Sequence, residues 1–531
     1  MEKKELQTSN TDEMITISRA EYEADKAYIA ELEQQTRWLM EQMNLLKQQR
    51  FGSGAEKASE EVIEQLNLLF DEAEVYAYTE QKTAVKSHTR KKSSGSIRDV
   101  VPEDVPVEEI IHELPADQRV CPQCGEELIV IGKEVHESLK IKPAEAILQR
   151  DIYYTYACGN CEKNGLSTPV VKTEKEPVII PGSFASPEAV AYLATQKFVM
   201  GSPLYRQEQE WKNKGLLLSR QTMSNWLLRC STDWLAPVYK VLHQQLVKHD
   251  IIHADETELQ VLREPGKTAK SQSYMWLYRT GCDAKHPIVL YEYQANRSGE
   301  HPKAFLEDFH GFLQTDGYSG YHAVEDVTHI GCFSHARRKF EDAIKAQPKG
   351  KRSPTAEQGV AYCSKLFQLE DVYEGRQLTF EERKKQRLER SKPVLDAMLA
   401  WANTRNAAPK SKLGIALTYL RNQWEPLNNF LLDGRIELSN NRAERSIKPF
   451  VMSRKNFLFA NTPLGAQSSA ILFSLIETAK ENGLDPYRYL TFVLKEAPKR
   501  SILRSDWAAT LTPEHAPNEC RAKMEKGVDN G

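Results

Sequence analysis

From residue 250 onward the hydrophobic pattern of the chain changes from helical spacing to alternation, and this change constrains the fold more than any other feature. "DIIHADETELQVL" (250–262), "SQSYMWLYRTG" (271–281) and "HPIVLYEYQA" (286–295) read as three successive strands rich in β-branched and aromatic residues. A helix follows in "HPKAFLEDFHG", then a fourth strand in "FLQTDGYSGYH", then a strand leading into a helix in "VTHIGCFSHARRKFEDAIK". Three meandering strands followed by helix and strand-helix units is the order of a ribonuclease H-like α/β domain. In that order the first and fourth strands lie side by side, so Asp255 and Asp316 are expected to meet at one edge of the sheet.

A carboxylate pair placed there suits phosphoryl transfer. Two Mg²⁺ ions held by carboxylates can activate an attacking oxygen and stabilise the leaving one, and Mn²⁺ serves the same ligands. A third carboxylate from a helix completes such a site. Its candidate is Glu444, the one acid in "SNNRAERSIKPF" (439–450), among Arg442, Arg445 and Lys448. Arg445 and Lys448 would hold the DNA backbone beside the metals. Two simpler readings compete: a capping box with Asn441 as N-cap and Glu444 at N3, and an i,i+4 pair of Glu444 with Lys448.

The chain has 531 residues and 40% apolar content, enough for about three or four domains. No apolar run is long enough to span a membrane, and "MEKKELQTSN" lacks the apolar core of a secretory signal, so an intracellular protein is expected. The net charge of −3 leaves nucleic acid open, because an acidic arm can offset a basic groove. Of nine cysteines, Cys121, Cys124, Cys158 and Cys161 form two C-x-x-C pairs flanking strand-like sequence. Two such turns close a tetrahedral zinc site, and the reading is a four-cysteine zinc ribbon; a thioredoxin-like redox pair is the competing one. The other five cysteines are scattered, as free thiols are.

Residues 14–72 are expected to be a coiled-coil or helical N-terminal region, on the spacing of Ile29, Leu32, Thr36, Leu39, Met43 and Leu46. An amphipathic helix packed on its own domain fits that spacing equally. A basic, Ser-rich linker follows (73–112), then the zinc-binding domain (113–175). Residues 180–235 read as a helix-turn-helix: the helix from Ser202-Pro203 stops at Gly215, and the next begins at Ser219. That second helix would present Arg220, Gln221, Ser224 and Asn225 to a major groove while Met223, Trp226 and Leu227 pack inward, although any helical hairpin has this pattern. The catalytic core occupies 245–345 and resumes with the Glu444 helix at 433–462, around a helical insertion at 346–432 that opens with a loop (346–359). A C-terminal helical region (463–500) and a disordered tail (501–531) complete the expected scheme.

"ADET", "TDGYSGY", "CFSHARRKF" and "SNNRAERSIKPF", in this order, resemble the DDE transposases of the insertion-sequence-66 family. "RFGSGAEK", both C-x-x-C pairs, "LYRQEQ" and "SLIETAKENGLDPYRYL" resemble it too, so the likeness covers roughly residues 30 to 500. The resemblance implies that Asp255, Asp316 and Glu444 are the metal-binding triad. It implies recognition of an element's terminal inverted repeats, cleavage at its ends and strand transfer into target DNA. It also implies a bacterial protein at the nucleoid in the cytoplasm, a homo-oligomer on double-stranded DNA, and small accessory proteins of the same element as partners. The family's C-x-x-H falls on Cys332 and His335; His335 touches substrate or orients a carboxylate in this reading, or is simply packed, and zinc is not expected there with only two ligands at hand. Phe333 and Ser334 replace the usual Trp and Ala, and Ser439 a frequent Asp, leaving the triad unaltered. Two alternatives remain: a catalytically silent relative that binds inverted repeats, and a ribonuclease H-like nuclease that hydrolyses without joining.

Overall fold

The structure, a computed structural model, describes residues 144–157, 170–172, 175–348 and 351–522. The coiled-coil region, the basic linker, and Cys121, Cys124, Cys158 and Cys161 lie outside the described residues. Of the described residues, 144–152 belong to one unit and the remainder to another. A short antiparallel pair, Thr155–Ala157 with Val170–Lys172, brackets the position of the second C-x-x-C pair.

Four helices precede the sheet, two of them started by serine caps. Helix α1 (Pro187–Phe198) starts where the Ser186 side chain accepts from the Ala189 N–H at 3.1 Å. Helix α2 (Leu204–Asn213) begins one residue later than the Ser-Pro signal suggested, with Pro203 as the capping residue, and it ends before Gly215. Helix α3 (Arg220–Cys230) is capped by Ser219 as expected, and a π turn (Ser231–Leu235) leads into α4 (Ala236–Leu246).

The alternating segments form one five-stranded mixed sheet. Strands β1 (Ile251–Gln260), β2 (Gln272–Thr280) and β3 (Val289–Gln294) make an antiparallel meander. After α5 (Glu300–Phe305), β4 (Phe312–Gln314) pairs parallel to β1, and β5 (Thr328–Ile330) pairs parallel to β4. The spatial order is β3-β2-β1-β4-β5. The first and fourth strands are therefore neighbours, as the element order predicts. Their pairing is brief: Ile251 faces Phe312 and His253 faces Gln314, and the ladder ends there.

Helix α6 (Phe333–Lys345) leads into the helical insertion: α7 (Pro354–Gly375), α8 (Phe380–Gln386), α9 (Lys392–Asn403), α10 (Lys412–Asn422) and α11 (Trp424–Asn428). The expected loop is shorter than the sequence suggested, because Ser353-Pro354 starts α7 inside it. The insertion has its own core, with Leu366, Met398, Trp401, Leu417 and Phe430 packed on Phe333 and Phe340 of α6. Helix α12 (Asn441–Phe457) then packs on β1 and β2, α13 (Pro463–Glu481) on β3, and α14 (Pro486–Leu503) on α1.

The expected disorder after residue 500 is corrected by the structure as far as Ala522. Short 3-10 turns at Trp507–Leu511, Pro513–His515 and Asn518–Cys520 bury Leu511 and Cys520, and the Tyr489 hydroxyl donates to the Leu511 carbonyl at 2.8 Å. Isolated apolar residues do this packing, so no periodic signal announces it. All five described cysteines (Cys230, Cys282, Cys332, Cys363 and Cys520) are free. Among the described residues no helix is long and apolar enough to cross a membrane.

A buried guanidinium fixes the exit from the insertion. Arg387, fully buried, donates to both Glu370 oxygens (2.8 and 2.6 Å) and to the carbonyls of Phe430, Asp433 and Ile436. Removing one member of a buried, hydrogen-bonded ion pair leaves the other uncompensated. Glu370→Ala is therefore expected to cost about 3–5 kcal/mol, read as a lowered urea midpoint for the insertion. An unchanged midpoint would remove this clamp from the account of the fold.

Candidate active site

The brief β1–β4 ladder creates the site. Beyond His253 and Gln314 the two parallel strands no longer pair, and clefts at the carboxyl ends of parallel strands are where open α/β sheets take ligands. Asp255 lies two residues past the last paired residue of β1, still held by β2 opposite Leu277. Asp316 lies two residues past the end of β4. Its carboxylate accepts from the Tyr318 N–H at 2.8 Å, and its carbonyl accepts from the Tyr419 hydroxyl at 2.7 Å. The chain turns at Gly317 with φ +92°, where a Cβ would come within 3.0 Å of the Gln423 side chain.

Glu444 enters from the first turn of α12. Farther along that helix the buried Arg279 of β2 donates to the Ser446 hydroxyl and to both Glu481 oxygens (3.3 and 2.9 Å), and the Tyr291 hydroxyl donates to the Ser446 carbonyl. These contacts seat α12 on the sheet. The capping box is corrected: Asn440 is the capping residue, Asn441 is already helical, and no side chain caps the helix. Arg442 is bound to Glu437 at 2.7 and 3.0 Å, while Arg445 is exposed and Lys448 half-buried on the same helix.

The carboxylates act on one another. Burial pushes the Asp255 carboxyl well above the usual range, and the charges of Glu256, Asp316 and Glu444 push it further. Burial and the Asp316 charge also raise Glu256. Glu256 accepts from the Tyr321 hydroxyl at 2.6 Å and from Arg297, whose guanidinium lies 3.8 Å over the Tyr318 ring. None of Glu256, Arg297, Tyr318 or Tyr321 stands out by spacing in the sequence. The signal was the second acid of "ADET" and the paired tyrosines of "TDGYSGY".

Helix α6 faces Glu444 from the other side. His335 Nδ1 and Arg338 Nη2 each lie 3.6 Å from a Glu444 oxygen. Both His335 Nδ1 and Glu444 Oε1 are buried without a hydrogen-bond partner. Burial lowers His335, which favours the neutral ring. Cys332 Sγ, a His335 ring nitrogen and a Glu444 oxygen lie within 4.8 Å of one another, so the third donor thought lacking beside Cys332 and His335 is Glu444. Burial pushes the Cys332 thiol up to about 12 and so keeps it a thiol, against the opposing pull of the Asn440 N–H that its sulfur accepts at 3.2 Å. The oxygen donors of Asp255, Asp316 and Glu444 would suit a hard cation such as Mg²⁺ or Mn²⁺ better than a soft one, while among the described residues the donors that already lie within 4.8 Å of one another are those of Glu444, His335 and Cys332.

Away from this cluster, Arg220, Gln221 and Asn225 are exposed on α3 and Ser224 is half-buried, while Met223, Trp226 and Leu227 are buried, as the sequence pattern predicts. Gln221 donates to Asn225 at 3.0 Å.

A mixed α/β domain with a carboxylate cluster at the ends of its parallel strands is thus joined to a long helical insertion. Comparison with known proteins gives it a family. Residues 182–468 match the family model described as "Transposase IS66 family", and 474–509 match "IS66 C-terminal element". Residues 118–162, which include all four paired cysteines, match "zinc-finger binding domain of transposase IS66". Residues 38–110, read above as coiled coil and linker, match "Transposase C of IS166 homeodomain". The chain belongs to the IS66 transposase family. Among its relatives, "Uncharacterized protein y4jD" of Sinorhizobium fredii (strain NBRC 101917 / NGR234) is 32% identical, covering 74% of this chain and 77% of that one. "Uncharacterized protein y4hP" of the same strain is 29% identical over 82% of this chain and 79% of its own length.

The raised Asp255 sets a pH dependence. A carboxyl that binds its proton more tightly folded than unfolded stabilises the fold at low pH, and that contribution is lost as pH rises from the unfolded value toward the folded one. Asp255→Asn is therefore expected to stabilise the metal-free protein at pH 7, read as a raised urea midpoint. The gain should shrink toward pH 3, below the unfolded value of about 3.9, where Asp255 is mostly protonated in both states. Urea unfolding in EDTA at the two pH values checks this, and an equal or negative effect at pH 7 would contradict the repulsion described here.

Proposed function

We propose that this transposase binds the terminal inverted repeats of its element and carries out metal-dependent DNA cleavage and strand transfer, with Asp255, Asp316 and Glu444 holding two Mg²⁺ or Mn²⁺ ions. The observation that carries the proposal is the convergence of three carboxylates from separate elements, strong enough that Asp255 feels both others. The strand order, an antiparallel meander followed by two parallel strands, supports a ribonuclease H-like core at 245–345 and 433–462 interrupted by the insertion at 346–432.

When bound, the metal pair supplies Lewis-acid activation of an attacking oxygen and stabilisation of the leaving one. The chain's own groups position the DNA. Arg445 and Lys448, beside Glu444 on α12, bind backbone phosphates flanking the scissile one. His335 orients the Glu444 carboxylate from α6, and Arg338 balances its charge. Arg220, Gln221, Ser224 and Asn225 read the inverted repeat from α3. Cys121, Cys124, Cys158 and Cys161 hold a Zn²⁺ that folds the N-terminal domain and leaves no open position for substrate. The protein acts at the nucleoid in the cytoplasm, as a homo-oligomer that brings two ends together, with the element's small proteins as accessory partners.

With labelled duplex carrying the element's end, Mg²⁺-dependent cleavage is expected from the wild type and is expected to fall at least about a thousandfold in Asp255→Ala, Asp316→Ala and Glu444→Ala, with end binding retained. Cleavage surviving in any one variant removes that residue from the triad. Binding by the wild type without cutting, even with the accessory proteins, would favour a silent DNA-binding relative. In a separate measurement, Cys121→Ser should lose one equivalent of zinc and weaken end binding about tenfold or more. Normal repeat binding by that variant would overturn the structural role of the zinc.

A further inference from the structure

Glu444 rides on α12, which packs on β1 and β2, and the first turn of that helix must be set against the part of β1 that carries Asp255. One residue joins β1, α6 and α12 there. Asn440 is fully buried at the start of α12. Its Nδ2 donates to the carbonyl of Ala254, the residue before Asp255, at 2.8 Å. That bond fixes the amide orientation and turns Oδ1 toward His253, whose Nδ1–H donates to it at 3.0 Å. The Asn440 N–H donates to Cys332 Sγ at the start of α6, three residues before His335. Its carbonyl accepts the Glu444 N–H at 3.2 Å. His253 is itself fully buried on β1, with Nε2 3.3 Å from Glu437.

We infer that Asn440 is the positioning residue of the site: its amide locks the first turn of α12 to β1 beside Asp255, while its backbone ties the same turn to Cys332 and Glu444. Asn440 touches neither metal nor DNA. It acts by holding the Glu444 backbone and the Asp255 backbone in one frame, with its side chain bonded to β1 and its backbone to α6 and α12. Asparagine suits the post because one group must donate to a carbonyl and accept from an imidazole at once. Aspartate keeps the shape and the acceptor but sets an oxygen against the Ala254 carbonyl, and alanine removes both bonds. The role of Cys332 follows from the same geometry: it accepts the Asn440 N–H.

This inference rests on the metal-holding role proposed for Asp255, Asp316 and Glu444, and the experiment separates the two. The full-length wild type, Glu444→Gln, Asn440→Ala and Asn440→Asp are titrated with Mn²⁺, following the rise in melting temperature and, in parallel, cleavage of a labelled end. End binding in EDTA and far-UV circular dichroism are recorded for each. Both Asn440 variants are expected to remain folded and bind ends as the wild type does, yet to need about ten- to a hundredfold more Mn²⁺ for half of either effect, the usual loss when a group that orients metal ligands is removed. Raising Mn²⁺ should restore much of their cleavage, which a damaged fold would not permit. A wild-type Mn²⁺ midpoint in both variants overturns the inference, as does loss of cooperative folding in both, which would assign Asn440 to stability alone. If Glu444→Gln responds to Mn²⁺ as the wild type does, the metal-holding role fails instead.

Discussion

The short parallel ladder between β1 and β4 is the constraint on which the rest of the structure depends. Three residue pairs are enough to set the two strands in register and too few to close the sheet beyond them. Asp255 keeps its place because β2 continues to pair with β1 on the other side, through Gln260 opposite Gln272. The opening therefore has one firm wall and one that ends early, and the Asp316 turn fills the gap.

Placing acids in that opening is costly to the apo fold, and the surroundings show how the cost is met. Glu256 is satisfied by Tyr321 and Arg297, Glu444 has Arg338 near one oxygen, and Arg297 stacks on Tyr318. Among the described residues, Asp255 receives a single backbone N–H from Glu256 and no cation acts on it. It is the acid left most exposed to its neighbours' charge, which is the condition a bound cation relieves. The surrounding framework is correspondingly stiff, with Arg279, Arg387 and Asn440 all buried and all multiply bonded. Rigid elements hold a strained cluster better than loops do.

Much of this was legible before the structure. Alternation in residues 250–295 revealed the meander, while the strand read in "FLQTDGYSGYH" ends at Gln314, which leaves Asp316 in the turn beyond it. The Ser219 cap and the inward face of α3 followed from helical spacing. The illegible parts share a cause: they depend on contacts distant in sequence. Asn441 looked like an N-cap because local spacing allowed it, but Asn440 takes that position with its amide committed to β1. Cys332 and His335 were visible as a motif without a partner, since Glu444 arrives from another helix. The tail past residue 500 packs through single residues, which carry no periodicity.

The insertion between Asp316 and Glu444 also bears on the order in which a growing chain acquires its parts. During synthesis the zinc-binding region, α1–α4, β1 and β4 all precede α12, and the insertion delays Glu444 until its own helices have been made. Domains fold as they emerge, N-terminal ones first. On the roles proposed above, a nascent or truncated chain that stops within the insertion holds the segments that recognise DNA while lacking the last carboxylate. It also lacks α13 and α14, which pack on β3 and α1, so the helices proposed to read DNA gain their full packing only when the last part of the chain is made.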